Sequence, residues 1–191
     1  MTGFSGNTIF SNTMHALKKP KNLLEIKPMA SEADTCARLM AGGEPWTTLK
    51  RGLAECREIF SDAAFEKFIA AVDGRLAGFL VICMQGAFTG YIKAICVAPE
   101  FRGKGVGRAI IQFAEQRIFS ESPNVFLCVS SFNRNAKRFY IRLGYKVIGE
   151  LKDYVVKGHS EILMRKSRGA MNKFKPKTKF SPAFSKVLRQ N

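Results

Sequence analysis

Histidine is nearly missing from this chain: 191 residues contain His15 and His159 and no others, so no histidine-based metal centre can be assembled. Cysteine is present but unpaired in pattern. Cys36, Cys56, Cys83, Cys96 and Cys128 are an odd number with no C-x-x-C spacing, which argues against zinc-ribbon and dithiol redox signatures. Three of the five fall in apolar strand-like runs, where a thiol behaves as a small hydrophobe, and a reduced cytoplasmic protein is expected. Long apolar runs are also missing. The longest, Leu76 to Met84, is far too short to cross a bilayer as a helix. The first residues show no continuous apolar stretch, so no secretory signal is expected. Acids are scarce: 15 Asp and Glu face 31 Lys and Arg, a net charge of +16.

That excess is unevenly spread. Residues 1–21 carry +3, residues 165–191 carry +9, and the long middle, residues 22–164, carries only +4. A globally basic nucleic-acid-binding body is not what this distribution describes. The chain divides into a polar, aperiodic segment 1–21, a domain over 22–166 and a basic C-terminal tail 167–191. The tail run Lys173 to Phe180 mixes cations with aromatics, as a segment touching nucleic acid or an anionic surface would. With no sustained apolar period, it reads as a solvated extension whose removal leaves the fold intact.

What the middle does contain is a glycine-rich loop, Arg102-Gly103-Lys104-Gly105-Val106-Gly107-Arg108, between a strand-like run (Tyr91–Val97) and a helix-like one (Val106–Ile118). Glycines at alternate positions leave backbone N–H groups uncovered and permit positive φ. A curled loop opening a helix aims several N–H groups at one point, where the helix dipole adds positive potential. Arg102, Lys104 and Arg108 add charge there. The physical reading is a pyrophosphate cradle. Neither the Gly-Lys-Ser/Thr loop nor the dinucleotide G-x-G-x-x-G pattern is matched.

Periodicity gives the order β-α-α-β-β-β-α-β-α-β-β, a mixed α/β sheet. Strands are expected at 23–26, 68–72, 76–84, 91–97, 124–129, 145–150 and 162–165. Helices are expected from Ser31 to Met40, from Thr47 or Thr48 to Phe60, over Val106–Ile118, and from Asn133 until Gly144 stops it. Asp73-Gly74 is the clearest hairpin signal.

The segment Val97-Ala98-Pro99-Glu100-Phe101-Arg102-Gly103-Lys104-Gly105-Val106-Gly107 resembles the acetyl-CoA motif of the GNAT superfamily of N-acetyltransferases, V-x-P-x-x-[QR]-x-x-G-x-[GA]. Asn133-Arg134-Asn135-Ala136-Lys137-Arg138-Phe139-Tyr140-Ile141-Arg142-Leu143-Gly144-Tyr145 is similar to that superfamily's second motif, N-x-x-A-x-x-[LF]-Y-x-x-x-G-[FY]. The resemblance implies a single-domain GNAT fold with a mostly antiparallel sheet, helices on both faces and a splayed strand pair at the cofactor. It implies acetyl-CoA as co-substrate, no metal, and direct attack of an amine on the thioester. By the same resemblance Ile95, Cys96 and Val97 pair with the pantetheine arm, the Val97 N–H serves as oxyanion donor, and Asn133 contacts the pantetheine. Tyr140 becomes the acid that protonates the departing thiolate; the reference pKa of a tyrosine, about 10, suits a thiol partner. Pro99 marks the strand end.

The base is the open position. The related ribosomal-protein alanine acetyltransferases read Glu-Val-Arg where this chain has Cys128-Val129-Ser130, so the carboxylate they present is missing. Glu161, opening the last strand near Tyr154, is the substitute by sequence logic, with a surface role and a water chain as its rivals. Glu44 and Trp46, between the first two helices, are candidates for the acceptor pocket. The acceptor is a small-molecule or peptide amine. A ribosomal-protein or peptide N-terminal acetyltransferase is one alternative, and a non-catalytic acyl-CoA-binding regulator tethered by its tail is another. A homodimer is left open.

Overall fold

The computed structural model describes residues 22–176 and 180–188. The expected N-terminal segment 1–21 lies outside them. One eight-stranded sheet runs in the order β6-β7-β5-β4-β3-β2-β1-β8. Its strands are β1 (Leu23–Pro28), β2 (Phe65–Val72), β3 (Arg75–Cys83), β4 (Tyr91–Val97), β5 (Asn124–Ser130), β6 (Lys146–Leu151), β7 (Glu161–Ser167) and β8 (Phe184–Val187). Every pairing is antiparallel except β4 with β5. Helices α1 (Ala33–Ala41) and α2 (Leu53–Ser61) cover one face, over a core that includes Cys36, Met40, Cys56, Phe60 and Phe79. Helix α3 (Val106–Phe119) covers the other, burying Ile110, Phe113 and Ile118 against Leu80, Ile82 and Leu127. Helix α4 (Arg134–Arg142) joins that second core through Tyr140.

The β2–β3 hairpin turns on Asp73 and Gly74 at φ 50° and 80°, the left-handed pair that a two-residue turn requires. The Asp73 carboxylate also accepts hydrogen bonds from the N–H groups of Asn22 and Leu23, tying the start of β1 to the turn. The expected helix from Thr47 is shorter than the spacing predicts. Residues 44–50 form turns, Lys50 takes φ 54°, and α2 begins only after Gly52, whose N–H is held by the Glu55 carboxylate. The left-handed residue interrupts the apolar period that Leu49 and Leu53 would have continued.

The tail corrects the expectation of a solvated extension. β8 pairs along β1 from Leu23↔Val187 to Ile26↔Phe184, and the Leu188 N–H donates to the Asn22 carbonyl at 3.0 Å. Leu188 is buried in the α3-side core. Phe180 stacks edge-on against Phe113 at 5.3 Å and Phe68 at 6.3 Å, and Arg117 lies over its ring. Arg117 is itself buried and paired with Glu66 of β2 and Glu121. The reason is geometric: α3 leaves part of β1 and β2 bare on its face, and three apolar side chains spaced four apart cover it. Pro182, Lys186 and two serines between them hid that period.

Gly78 on β3 sets how closely the sheet approaches the end of β4. A Cβ there would lie 2.3 Å from the Cys96 carbonyl oxygen and 3.3 Å from Ile110. Gly78→Ala therefore forces backbone apart rather than filling space. Loss of roughly 1–3 kcal/mol is expected, as for overpacking in other cores. Chemical denaturation checks it, and an unchanged midpoint would show that β4 is free to shift.

Candidate active site

β4 and β5 start side by side and then part. Their parallel pairing is limited to Tyr91↔Phe126 and Ile92↔Leu127. Beyond that point β4 follows β3 to Val97, while β5 follows β7 from Asn124 to Ser130. A register shift in the β3–β4 ladder leaves Lys93 as an extra residue at the mouth of the split. Bulges bend a strand and disrupt its ladder locally. The opening wedge is a cleft, and Ile95, Cys96, Val97, Arg102, Gly103, Asn133, Tyr140, Tyr154, Glu161, Glu44 and Trp46 all line it.

Successive N–H groups along a strand point to opposite edges. The Ala98 N–H donates to the Ala77 carbonyl of β3, so that of Val97 points into the split. The Val97 carbonyl accepts from Arg102 Nε at 3.0 Å. Arg102 is thus occupied in holding the strand end rather than standing free. The Cys96 thiol is buried, and burial pushes it up to about 11 despite Arg102. It is inert at neutral pH.

Past Val97, a short turn of Pro99–Phe101 leads to the loop. Gly103 and Gly105 adopt φ 76° and 81°, and a Cβ at Gly103 would meet nothing within 4 Å. Open space at Gly103 and the first N–H groups of α3 leave a donor-rich surface of the kind that suits a pyrophosphate. Lys104, Gly105, Val106, Gly107 and Arg108 form this shelf outside the walls of the cleft itself. The Val106 side chain is buried in the core, leaving its backbone alone for a ligand, and Gly107 packs toward Val97 and Phe139.

On the opposite wall, Asn133 Oδ1 accepts from the Ala136 N–H at 3.2 Å, so the asparagine caps α4. Its amide nitrogen donates to no partner among the described residues, and the side chain lines the cleft. Tyr140 packs its ring against Phe139 and Tyr145. Burial raises its phenol well above the ordinary range, so it holds its proton. At the floor, Glu161 faces Ser130 across the β5–β7 ladder and accepts its hydroxyl at 2.6 Å. The Glu161 carboxyl is buried, and that burial raises its pKa above 4.5 against the opposing effects of Ser130 and Arg51. The surface role is excluded for this side chain. Glu44 is different: exposed at the mouth, it accepts from Thr47 and Thr48, which hold its carboxyl below the usual range. Trp46 packs near Phe79, ring centroids 6.2 Å apart, and also lines the cleft. Tyr154 stands exposed on the loop above.

Two wall residues escaped the reading of the sequence. Tyr91 opens β4 beside Cys128, and burial, reinforced by the nearby Cys128 and Glu161, raises its phenol far above the ordinary value. Arg51 borders the same space. Neither lies in a motif: the splay opens the space beside Tyr91, and the turns of 44–50 bring Arg51 to it.

The family model "Acetyltransferase (GNAT) family" matches residues 28–145, more than half of the chain. This protein is a member of the GNAT acetyltransferase family. An uncharacterised N-acetyltransferase of Methanocaldococcus jannaschii is 33% identical over 103 residues, covering 53% of this chain and 65% of that protein. An N-alpha-acetyltransferase of Sulfurisphaera tokodaii is 30% identical over 117 residues, 54% of this chain and 68% of its own. The chain thus spans about two thirds of the length of these curated relatives. Among solved structures, the ribosomal-protein-S18-alanine N-acetyltransferase of Escherichia coli shares the fold with a TM-score of 0.63 at 17% identity, over 80% of this chain and 99% of that one. An aminoglycoside 6'-N-acetyltransferase complexed with coenzyme A does so with a TM-score of 0.60 at 18% identity, over 74% and 96%. In this GNAT member, as the family implies, the sheet is mixed and helices lie on both faces.

Proposed function

We propose that this GNAT protein moves an acetyl group from acetyl-CoA to an amine by direct attack in a ternary complex. The observation that carries the reading is the split between β4 and β5, with the Val97 N–H, Tyr140 and the buried Glu161 around one cleft. Family membership and relatives named as N-acetyltransferases support it. The shelf from Gly103 to Arg108 takes the pyrophosphate. The backbone of Ile95 and Val97 pairs with the pantetheine amides, and the Asn133 side chain reaches them from α4. The Val97 N–H hydrogen-bonds the thioester oxygen, where negative charge grows during attack.

An incoming amine is an ammonium in water and must lose a proton to become a nucleophile. Glu161 is the carboxylate placed to take it, either directly or through one water. Its raised pKa brings it nearer to the amine and improves it as a base. Tyr140 hydrogen-bonds the leaving sulfur and supplies its proton.

A protein N-terminus or a lysine side chain as acceptor is favoured by the names of two relatives, the N-alpha-acetyltransferase and a peptidyl-lysine N-acetyltransferase of Escherichia coli. The open mouth between Glu44 and the exposed Tyr154 admits a peptide as readily as a small amine.

The pH dependence tests the base. Glu161 works only when ionised, so kcat/KM should rise with pH along a limb whose midpoint lies above 4.5. Glu161→Gln should remove that limb and reduce kcat/KM by roughly 10²-fold or more, the usual range for a general base. A limb that survives in the variant would assign the proton to a water chain. Stability moves the opposite way. A carboxyl whose folded pKa is raised binds more protons folded than unfolded, so its contribution is lost as pH rises from 4.5 through the folded value. Glu161→Gln should therefore stabilise the fold slightly at neutral pH.

A further inference from the structure

The acceptor end of the cleft has an unusual charge arrangement. Its two carboxylates are already engaged, Glu161 with Ser130 and Glu44 with the two threonine hydroxyls. Its two cations are not. Arg51, half-buried after the turns of 44–50, and Lys93, at the bulge of β4, both line the cleft, and neither makes a salt bridge among the described residues. Both are close enough to be felt electrostatically at the floor: Arg51 opposes the rise of the Glu161 pKa, and Lys93 opposes that of Cys128. Two cations without an ion-pair partner among the described residues therefore share this end of the cleft with the buried Glu161 and the exposed Glu44. Such mixed charge suits a ligand that itself carries both signs, an ammonium and a carboxylate.

We propose that the acceptor is an amine with a carboxylate close to it, the ammonium directed to Glu161 and the carboxylate to Arg51 and Lys93. The proposal rests on the N-acetyltransferase reading of the same cleft and names its substrate class. Arg51 supplies the more specific half, since a guanidinium binds a carboxylate through two parallel N–H groups. Lys93, exposed over the ring of Phe65, supplies a mobile point charge. Free amino acids and peptides with an acidic residue beside the reacting amine share this chemistry. No covalent step beyond acetyl transfer is added: the amine nitrogen bonds the acetyl carbon, the C–S bond breaks, and one proton leaves through Glu161 while one reaches the thiolate.

The test compares matched acceptors on the full chain with acetyl-CoA present. One arm sets free glutamate, aspartate and methionine against their α-amides. A second sets tripeptides with Asp or Glu beside the N-terminal residue against those with Lys there. Spermidine is the polycationic control. Trp46, the sole tryptophan and a wall of the cleft, reports binding by its fluorescence whether or not turnover follows.

Carboxylate-bearing members of at least one arm should bind and react at least 10-fold better than their neutral or basic partners. The difference should lie in KM rather than kcat, and should shrink several-fold in Arg51→Gln and Lys93→Gln while Arg51→Lys restores part of it. The winning arm identifies the source. Equal efficiency across the pairs, a preference for spermidine, or a carboxylate preference untouched by both substitutions would overturn the proposal, as would failure of every member to bind. Calorimetry with acetyl-CoA alone separates the two readings: cofactor binding without any such preference removes the substrate class and leaves the transferase reading standing.

Discussion

A chain ending at residue 179 should melt well below the full protein. The deletion removes β8 from the edge of β1 and strips Phe180, Phe184 and Leu188 from the α3-side core. Leu188 is buried and both phenylalanines are half-buried, so about 4 kcal/mol is expected, given roughly 1.5–3 kcal/mol for each large apolar side chain fully buried. In a domain of this size 1 kcal/mol shifts Tm by about 2–4 °C, which places the fall at roughly 8–16 °C. The effect should reach the cofactor, because Leu188 Cδ2 lies 3.9 Å from where a Cβ of Gly105 would stand. Leu188→Ala opens a gap beneath the loop and should weaken acetyl-CoA binding several-fold. A truncated protein with unchanged Tm would show that the strand contributes nothing, and the basic tail would return to being an extension.

Tyr140→Phe should abolish most turnover while leaving the protein folded and able to bind acetyl-CoA. The ring keeps its edge-on contacts with Phe139 and Tyr145, so packing changes little. Only the hydroxyl is lost. Because burial raises its pKa, that hydroxyl is a weak acid, and its value lies in a hydrogen bond that strengthens as the sulfur becomes anionic. Loss of the acid should reduce kcat by roughly 10²-fold or more where chemistry limits the rate. The deficit should narrow with acyl donors whose thiol leaves more readily. Wild-type turnover in steady-state and burst assays would take Tyr140 out of the mechanism and hand the proton to water.

Strands β4 and β5 and helices α3 and α4 were legible because their signals are local: a two-residue period, a glycine loop and an asparagine cap. Residues 91–97 and the start of α3 at Val106 are found where periodicity places them. β8 was not legible, since Lys186 and the prolines around it read as solvated chain and its partner β1 lies some 160 positions away in sequence. The site divides in the same way. Val97, Asn133 and Tyr140 sit in motifs, whereas Glu161 gains its meaning from facing Ser130 across two strands and from burial that no local pattern encodes. Tyr91 and Lys93 reach the cleft because β4 bulges and parts from β5, and Arg51 because the turns of 44–50 carry the chain to its rim. The division at residue 166 now separates regions that share a core, with Phe184 and Leu188 on one side and Phe113 on the other.

The central claim is that one cleft holds both a thioester and an amine and transfers the acetyl group between them. It is tested most directly by following free thiol and amine mass together in a single reaction of purified protein, acetyl-CoA and the acceptor panel. One thiol released for each amine gaining one acetyl group is the predicted result, with both signals reduced in parallel in Tyr140→Phe and Glu161→Gln. Tight binding of acetyl-CoA with no acetylated amine across the panel, or thiol release without it, would contradict the account and leave an acyl-CoA-binding regulator or a thioester hydrolase in its place.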